Sequence, residues 1–152
     1  LRGFNLKYIV GDGQFKSLEA RLMSIDIHMN CVSENEHVPE IERHGRHMKE
    51  RTRCKFNSAP FKYHTARMIM ENVYDSNEWI NTFPPADGVH TTLGPSAIIE
   101  GKKYDYKKHC TLEFCQYVHV HEVSNNTVEP QSIPALALRP SGNIQGGHYF
   151  FN

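Results

Sequence analysis

The segment from Leu6 to Arg53 constrains the fold most, because its apolar residues change between strand spacing and helical spacing. Apolar side chains alternate with other residues in 6–10 and again in 25–31, which is the two-residue period of a strand with one buried face. Residues 15–24, and the stretch that begins at Pro39, instead repeat their apolar residues every three to four positions. This order of strand, helix, strand and helix predicts an α/β fold.

Two carboxylates stand where these predicted elements end or begin. Asp12 follows the first strand in the turn Gly11-Asp12-Gly13, and Glu40 falls in the first turn of the helix that begins at Pro39. Phosphoryl transfer on nucleic acids uses two divalent ions, roughly 3.5–4 Å apart, held by carboxylates from separate elements. Mg²⁺ prefers such oxygen ligands, so we predict that Asp12 and Glu40 share a site for Mg²⁺ or Mn²⁺. The alternative is that Asp12 is an ordinary turn residue and Glu40 an acid favoured by the helix dipole.

The predicted helix after Pro39 also carries a dense cluster of basic side chains. Residues 43–55 contain six Lys or Arg and one acid, although the formal net charge of the whole chain is zero. Side chains of this kind neutralise phosphates along a DNA backbone, and the predicted DNA-binding residues are Arg43, His44, Arg46, His47, Lys49 and Arg51. Helical spacing assigns a separate, buried face to Ile41, Gly45, Met48 and Thr52. The alternative is that the basic cluster is a solvated helix face without a ligand.

The second half of the chain is predicted to contain two more helices and a small β module. Helical spacing resumes after Pro60, with a predicted buried side made of Ala66, Ile69, Val73 and Ile80, and a short helix is predicted near Pro95. Strand-forming residues then dominate, with strands predicted at 118–123, 135–138 and 148–151. We therefore predict a core in residues 1–83, a linker with a short helix in 84–101 and the β module in 102–152.

The four cysteines are scattered, and no signal peptide is evident, so we expect reduced thiols in an intracellular protein. No apolar run approaches the roughly 18 residues of a membrane span, so no membrane partner is expected. Cysteines and histidines at short spacing permit a zinc-stabilised interaction module, with Cys110, Cys115, His119 and His121 as its ligands. The competing interpretation of this group is buried thiols and surface histidines. Neither a Gly-x-Ser-x-Gly motif nor a glycine-rich phosphate loop occurs.

Several segments resemble, in order, the integrase region of copia-type retrotransposon polyproteins. Asp12-Gly13-Gln14-Phe15 is similar to the family's Asp-Asn-Gly-x-Glu-Phe segment. His37-Val38-Pro39-Glu40-Ile41-Glu42-Arg43 is similar to its Asn-Gly-Val-Ala-Glu-Arg stretch. Three later segments resemble the family's Thr-Pro-x-Glu … Gly-Lys-Lys-Pro, Arg-Val-Phe-Gly-Cys-x-Ala-Tyr-Val and Gly-Tyr-x-x-Tyr motifs, namely Thr92–Lys103, Leu112–Val120 and Gly146–Phe150.

The resemblance implies a partial ribonuclease H-like core, in the order strand, helix, strand, helix, helix, followed by the β module. It implies an enzyme of DNA integration, in which a 3′ hydroxyl attacks a phosphodiester with two divalent ions, and it makes Asp12 and Glu40 catalytic metal ligands. The first aspartate of the family's triad is expected on a strand before Leu1, so we expect a fragment that is inactive alone. DNA is the expected partner, with possible homo-oligomers and a nuclear or virus-like-particle location for the parent protein. The alternative within the same fold is a non-catalytic remnant that binds nucleic acid.

Overall fold

The computed structural model describes residues 3–33, 38–101, 104–122 and 127–152. The chain divides into two compact units, residues 1–47 and 48–152. The described residues form five α-helices, one 3-10 helix and two small β-sheets. The expectation of a mixed α/β protein is confirmed, whereas the ribonuclease H-like core and the boundary at 84–101 remain predictions.

The first unit is built on two parallel strands, β1 (Tyr8–Asp12) and β2 (His28–Val32). A 3-10 helix (Gly13–Leu18) and helix α1 (Glu19–Met23) connect them, since parallel strands need a crossover rather than a tight turn. Both strands begin two or three residues later than the alternation predicts. At the second strand the reason is local, because Asp26 has a φ of 60° and the chain still turns there.

Apolar side chains of the first unit remain largely open to solvent. Among its described residues only Gly11 is buried. The large apolar side chains with exposed fractions between 44% and 76% are Phe4, Leu6, Tyr8, Val10, Phe15, Leu18, Met23, Ile25 and Ile41. The described part of this unit therefore has no closed hydrophobic core.

Helix α2 runs from Pro39 to Ser58 and begins in the first unit and ends in the second. Its start at Pro39 agrees with the prediction. Gly45, Met48 and Thr52 are half-buried, as the helical spacing predicts. The prediction is wrong for Ile41, which is 62% exposed because it borders an open cavity of the first unit.

The second unit combines three helices with a three-stranded antiparallel sheet. The helices are α3 (Ala66–Thr82), α4 (Pro95–Glu100) and α5 (Tyr106–His109). The strands, in the order in which they pair, are β3 (Tyr117–His121), β4 (Ser132–Pro140) and β5 (His148–Phe151). The predicted short helix near Pro95 and the three predicted strands are confirmed, although Val123 of the first predicted strand lies outside the described residues. A separate β module in 102–152 remains a prediction.

The core of the second unit contains both apolar and charged side chains. Its buried apolar residues are Met68, Cys115, Ala135, Ala137 and Leu138. Helix α3 packs against β4, and the face that it buries carries mainly polar groups, namely Glu71, Asn72, Asp75 and Ser76 beside Met68.

The predicted buried side of α3 is therefore wrong for Ala66 and Ile69, which are exposed, while Val73 and Ile80 are half-buried. The polar face is buried because its groups find partners, as buried polar groups must. Asn72 donates a hydrogen bond to the Thr52 carbonyl at 3.1 Å, and Ser76 donates one to Asn72 at 3.3 Å.

Helices α3 and α4 approach each other closely at Gly94. A side chain at this position would place its Cβ 2.1 Å from the Thr82 carbonyl oxygen at the end of α3. The Ser96 hydroxyl also donates to the Asn81 carbonyl at 2.9 Å. None of the described helices is long and apolar enough to cross a membrane.

Candidate functional site

Asp12 is the last residue of β1, at the carboxyl end of the parallel strand pair. Its backbone is extended, and its Oδ1 accepts a hydrogen bond from the Gly13 amide at 2.7 Å, so that Asp12 caps the 3-10 helix. This capping role agrees with the alternative that made Asp12 a turn residue. The side chain is exposed, and an ionised carboxylate has further lone pairs with which to bind a ligand.

The first turn of α2 contains two acids, Glu40 and Glu42. Residues two apart on an α-helix point in directions about 200° apart, so these two side chains leave the helix on different sides. Asp12 and Glu42 line one cavity of the first unit, of about 720 Å³. Glu40 is not among the residues that line it.

The cavity is otherwise lined mainly by apolar side chains of β1, the 3-10 helix and β2, among them Ile9, Phe15 and Met29. The structure therefore brings Asp12 and Glu42 to one cavity, whereas a shared Asp12–Glu40 site remains a prediction. Sequence reasoning missed Glu42, although it stands in the same first turn as Glu40. The missing information was the rotation of α2 relative to β1, which apolar spacing does not give.

Carboxylate oxygens at the end of β1 and at the start of α2 are of the kind that Mg²⁺ or Mn²⁺ binds. Asp12 and one glutamate supply only part of a ligand set. Among the residues that the structure describes, no three His, Cys, Asp or Glu side chains are grouped where they could hold a metal ion. The donor chemistry thus fits a hard cation, and further ligands would have to complete its coordination.

The predicted DNA-binding side chains are all exposed on α2, namely Arg43, His44, Arg46, His47, Lys49 and Arg51. Within the described residues, none of these six forms an ion pair. By contrast, Lys55 on the half-buried side of the same helix pairs with Asp75. The exposed side of α2 therefore presents cations whose charge the described carboxylates do not neutralise.

The candidate zinc residues do not form a metal-binding group within the described chain. His119 and His121 are exposed on β3, which confirms the expectation of surface histidines. Cys115 is buried as expected, but Cys110 is exposed, so the expectation of a buried thiol is wrong there. Burial, together with the nearby charge of Asp75, raises the pKa of the Cys115 thiol to about 11, which keeps it protonated and unreactive.

A second charged cluster lies in the second unit, where α3 meets α2 and β4. Asp75 pairs with Lys55 and accepts a hydrogen bond from Trp79 Nε1 at 3.0 Å. Desolvation raises the pKa of Asp75, although the charge of Lys55 opposes this shift. Glu71 on the same face pairs with Arg139 of β4. The spacing of Glu71 and Asp75, four residues apart on one helix, was the available signal for this cluster.

Comparisons with protein-family models, with curated proteins and with solved structures gave no significant match. The resemblance to copia-type integrases therefore rests on the sequence segments themselves. Three residues of those segments, His37, Lys102 and Lys103, lie outside the described residues.

Proposed function

We propose that this chain is part of a copia-type retrotransposon integrase, a polynucleotidyl transferase with a ribonuclease H-like core. One observation carries the proposal, which is the parallel β1–β2 pair with Asp12 at its carboxyl end, followed by a helix with an acidic first turn. Ligands commonly bind at the carboxyl ends of parallel strands. The order of these elements agrees with the order of the resembling sequence segments.

In this proposal Asp12 and a glutamate of the first turn of α2 hold Mg²⁺ or Mn²⁺. The resemblance favours Glu40 as that glutamate, and the lining of the cavity favours Glu42. Divalent ions bound there would activate an attacking 3′ hydroxyl and stabilise the leaving oxygen. The exposed cations of α2 would bind phosphates of the element ends and of the target DNA.

The family's triad has three carboxylates, of which Asp12 and Glu40 match two. Metal binding and DNA binding are therefore the activities that we expect of this chain by itself, and strand transfer is expected only when the third carboxylate is supplied. In the parent protein, the proposed setting is a homo-oligomer on DNA in the nucleus or in a virus-like particle.

Titration calorimetry with Mn²⁺ tests the metal site. We expect Asp12→Asn to weaken Mn²⁺ binding. One of the variants Glu40→Gln and Glu42→Gln should weaken it too, and that variant identifies the second ligand. Glu50→Gln is the matched control, because Glu50 is an exposed acid on the same helix but does not line the cavity. Equal Mn²⁺ binding by all four variants and the unsubstituted chain would refute a site at Asp12.

The exposed cations of α2 also favour a second candidate function, a non-catalytic remnant that binds nucleic acid. This candidate needs the basic side chains of α2 but no metal. The two functions are separated by measuring both ligands on the same preparation. If the chain binds DNA but no Mn²⁺ even when a strand with the third carboxylate is supplied, the remnant is supported. Binding of both DNA and Mn²⁺ supports the integrase.

A further inference from the structure

Three aromatic rings of the second unit form a nearly parallel stack, hereafter the aromatic ladder. Trp79 in the last turns of α3 stacks on Phe83, with ring centroids 5.8 Å apart and an interplanar angle of 19°. Phe83 stacks in turn on Tyr106 at the start of α5, at 5.9 Å and 18°. Such distances and angles are those of offset stacking, so the ladder is a regular series of ring faces.

The outer end of the aromatic ladder is open to solvent. Tyr106 is 56% exposed and Phe83 is 41% exposed. Tyr104, only two residues before Tyr106, is instead half-buried, and its hydroxyl donates a hydrogen bond to Glu78 Oε1 at 2.6 Å. The exposure of Tyr106 is therefore specific to that residue, and more than half of it is open for contact with a further planar group.

Two cations follow the open ring directly in the sequence. Lys107 and Lys108 follow Tyr106 in α5, and both are exposed. Neither forms an ion pair within the described residues. The acid of this segment, Asp105, accepts a hydrogen bond from the Lys107 amide at 3.0 Å and so caps the helix. The segment at the open end of the ladder thus combines an exposed aromatic ring with two exposed cations.

We propose that the aromatic ladder binds single-stranded nucleic acid, with a base stacked on Tyr106 and phosphates held by Lys107 and Lys108. Proteins that bind unpaired strands without sequence preference stack the bases on aromatic rings and bind the phosphates with nearby cations. A duplex keeps its base faces stacked inside the helix, so it cannot use the ring. A proline-rich peptide would use the rings but would leave the two lysines without a role. The inference needs neither Asp12 nor the basic side of α2, so it does not rest on the proposed function.

Binding is measured on the whole chain with a fluorescently labelled oligothymidylate of roughly ten nucleotides, a length typical of such sites. Fluorescence anisotropy gives the affinity of every variant. We expect Tyr106→Ala to weaken binding roughly tenfold and Tyr106→Phe to leave it unchanged. Tyr63→Ala is the matched control, because Tyr63 is a 93% exposed tyrosine of the same unit.

An abasic oligomer of the same length separates stacking from charge. We expect it to bind about as weakly as oligothymidylate binds the Tyr106→Ala variant. Equal affinity for abasic and thymidine oligomers, or unchanged affinity in Tyr106→Ala, would overturn the proposal. If Lys107→Gln/Lys108→Gln lost binding while Tyr106→Ala kept it, the surface would bind by charge without stacking, and the proposal would be overturned as well.

Folding is checked by circular dichroism of each variant. Should Tyr106→Ala lose its structure, Tyr106→Leu replaces it, because leucine keeps an apolar contact with Phe83 but has no ring face. We expect Tyr106→Leu to bind the oligomer as weakly as Tyr106→Ala does. Binding by Tyr106→Leu as strong as that of Tyr106→Phe would contradict stacking. Adding Tyr106→Ala to the triple variant Arg43→Gln/Arg46→Gln/Arg51→Gln should still weaken oligothymidylate binding, which separates this site from the proposed site on α2.

Discussion

At the scale of single residues, Glu71 shows how the second unit tolerates a buried charge. Its carboxylate is almost fully buried, and each oxygen contacts a different arginine. Oε2 accepts a hydrogen bond from Arg139 Nε at 2.7 Å, and Oε1 lies 2.8 Å from Arg67 Nη2. The Arg139 guanidinium also lies over the rings of Tyr149 and Tyr74, 4.5 Å and 5.5 Å from their centroids, which adds cation–π attraction.

The two arginines differ in exposure, and this difference gives a matched pair of substitutions. The Arg139 side chain is 25% exposed and the Arg67 side chain 64%. Arg139→Met leaves the buried Glu71 carboxylate with only the exposed Arg67 as an ion-pair partner, so we expect it to lower the free energy of unfolding by about 3 kcal/mol. Arg67→Met removes a largely exposed cation of the same helix and leaves the Arg139 pair intact, so it should cost about 0.5 kcal/mol. Urea denaturation of the two variants measures both, and equal losses would contradict this account.

At the scale of elements, α2 has two sides with different physical properties. Gly45, Met48 and Thr52 are half-buried on one side, and the cations on the other side are exposed. In the described chain the exposed cations are without ion pairs, so counterions or a polyanion can relieve their mutual repulsion. When such cations neutralise DNA phosphates, counterions are released from the DNA, and this release favours binding.

We therefore expect Arg43→Gln/Arg46→Gln/Arg51→Gln to weaken binding to duplex DNA and to reduce its dependence on salt. Each phosphate contact adds about 0.9 to the slope of log affinity against log salt, so loss of three contacts should reduce that slope by about 2.7. Fluorescence anisotropy over a series of salt concentrations gives the slope. Lys62→Gln, an exposed cation outside α2, is the control and should leave it nearly unchanged. An unchanged slope in the triple variant would exclude α2 as the phosphate-binding surface.

At the scale of the whole molecule, the two units differ in how well they bury apolar surface. The described part of the first unit buries only Gly11. The second unit has a closed core in which Ala137 is 0% exposed and Leu138 4% exposed. Burial of apolar surface is the main favourable term in folding, so the two units should differ in local stability.

Hydrogen exchange of the intact chain tests this difference. Regions with few buried apolar contacts open at low free energy, so amides of the β1–β2 pair should exchange faster than those of β4 by roughly tenfold or more. Mass spectrometry after proteolysis gives the protection of each segment. Equal protection of β1, β2 and β4 would show that the first unit is stabilised by something other than its own apolar contacts.

The sequence by itself determined the order of the elements, except for the unpredicted helix α5, and several of their ends. Strand β5 has the predicted bounds, and α2 and α4 begin at Pro39 and Pro95 as predicted. These features depend on neighbouring residues only. Strand alternation repeats within a few residues, and proline suits the first turn of a helix because its missing amide proton is not needed there.

Only the tertiary structure decided which faces are buried and which acids meet. Glu71 and Asp75 are buried on α3 because Arg139, 68 residues from Glu71, and Lys55 come to neutralise them. Glu42 lines the cavity beside Asp12 because of the rotation of α2 at that point. The spacing of apolar residues in the sequence predicts burial only from the hydrophobicity of each residue. Whether a charge can be buried depends on the free energy gained from a partner, and that partner is brought by a distant part of the chain.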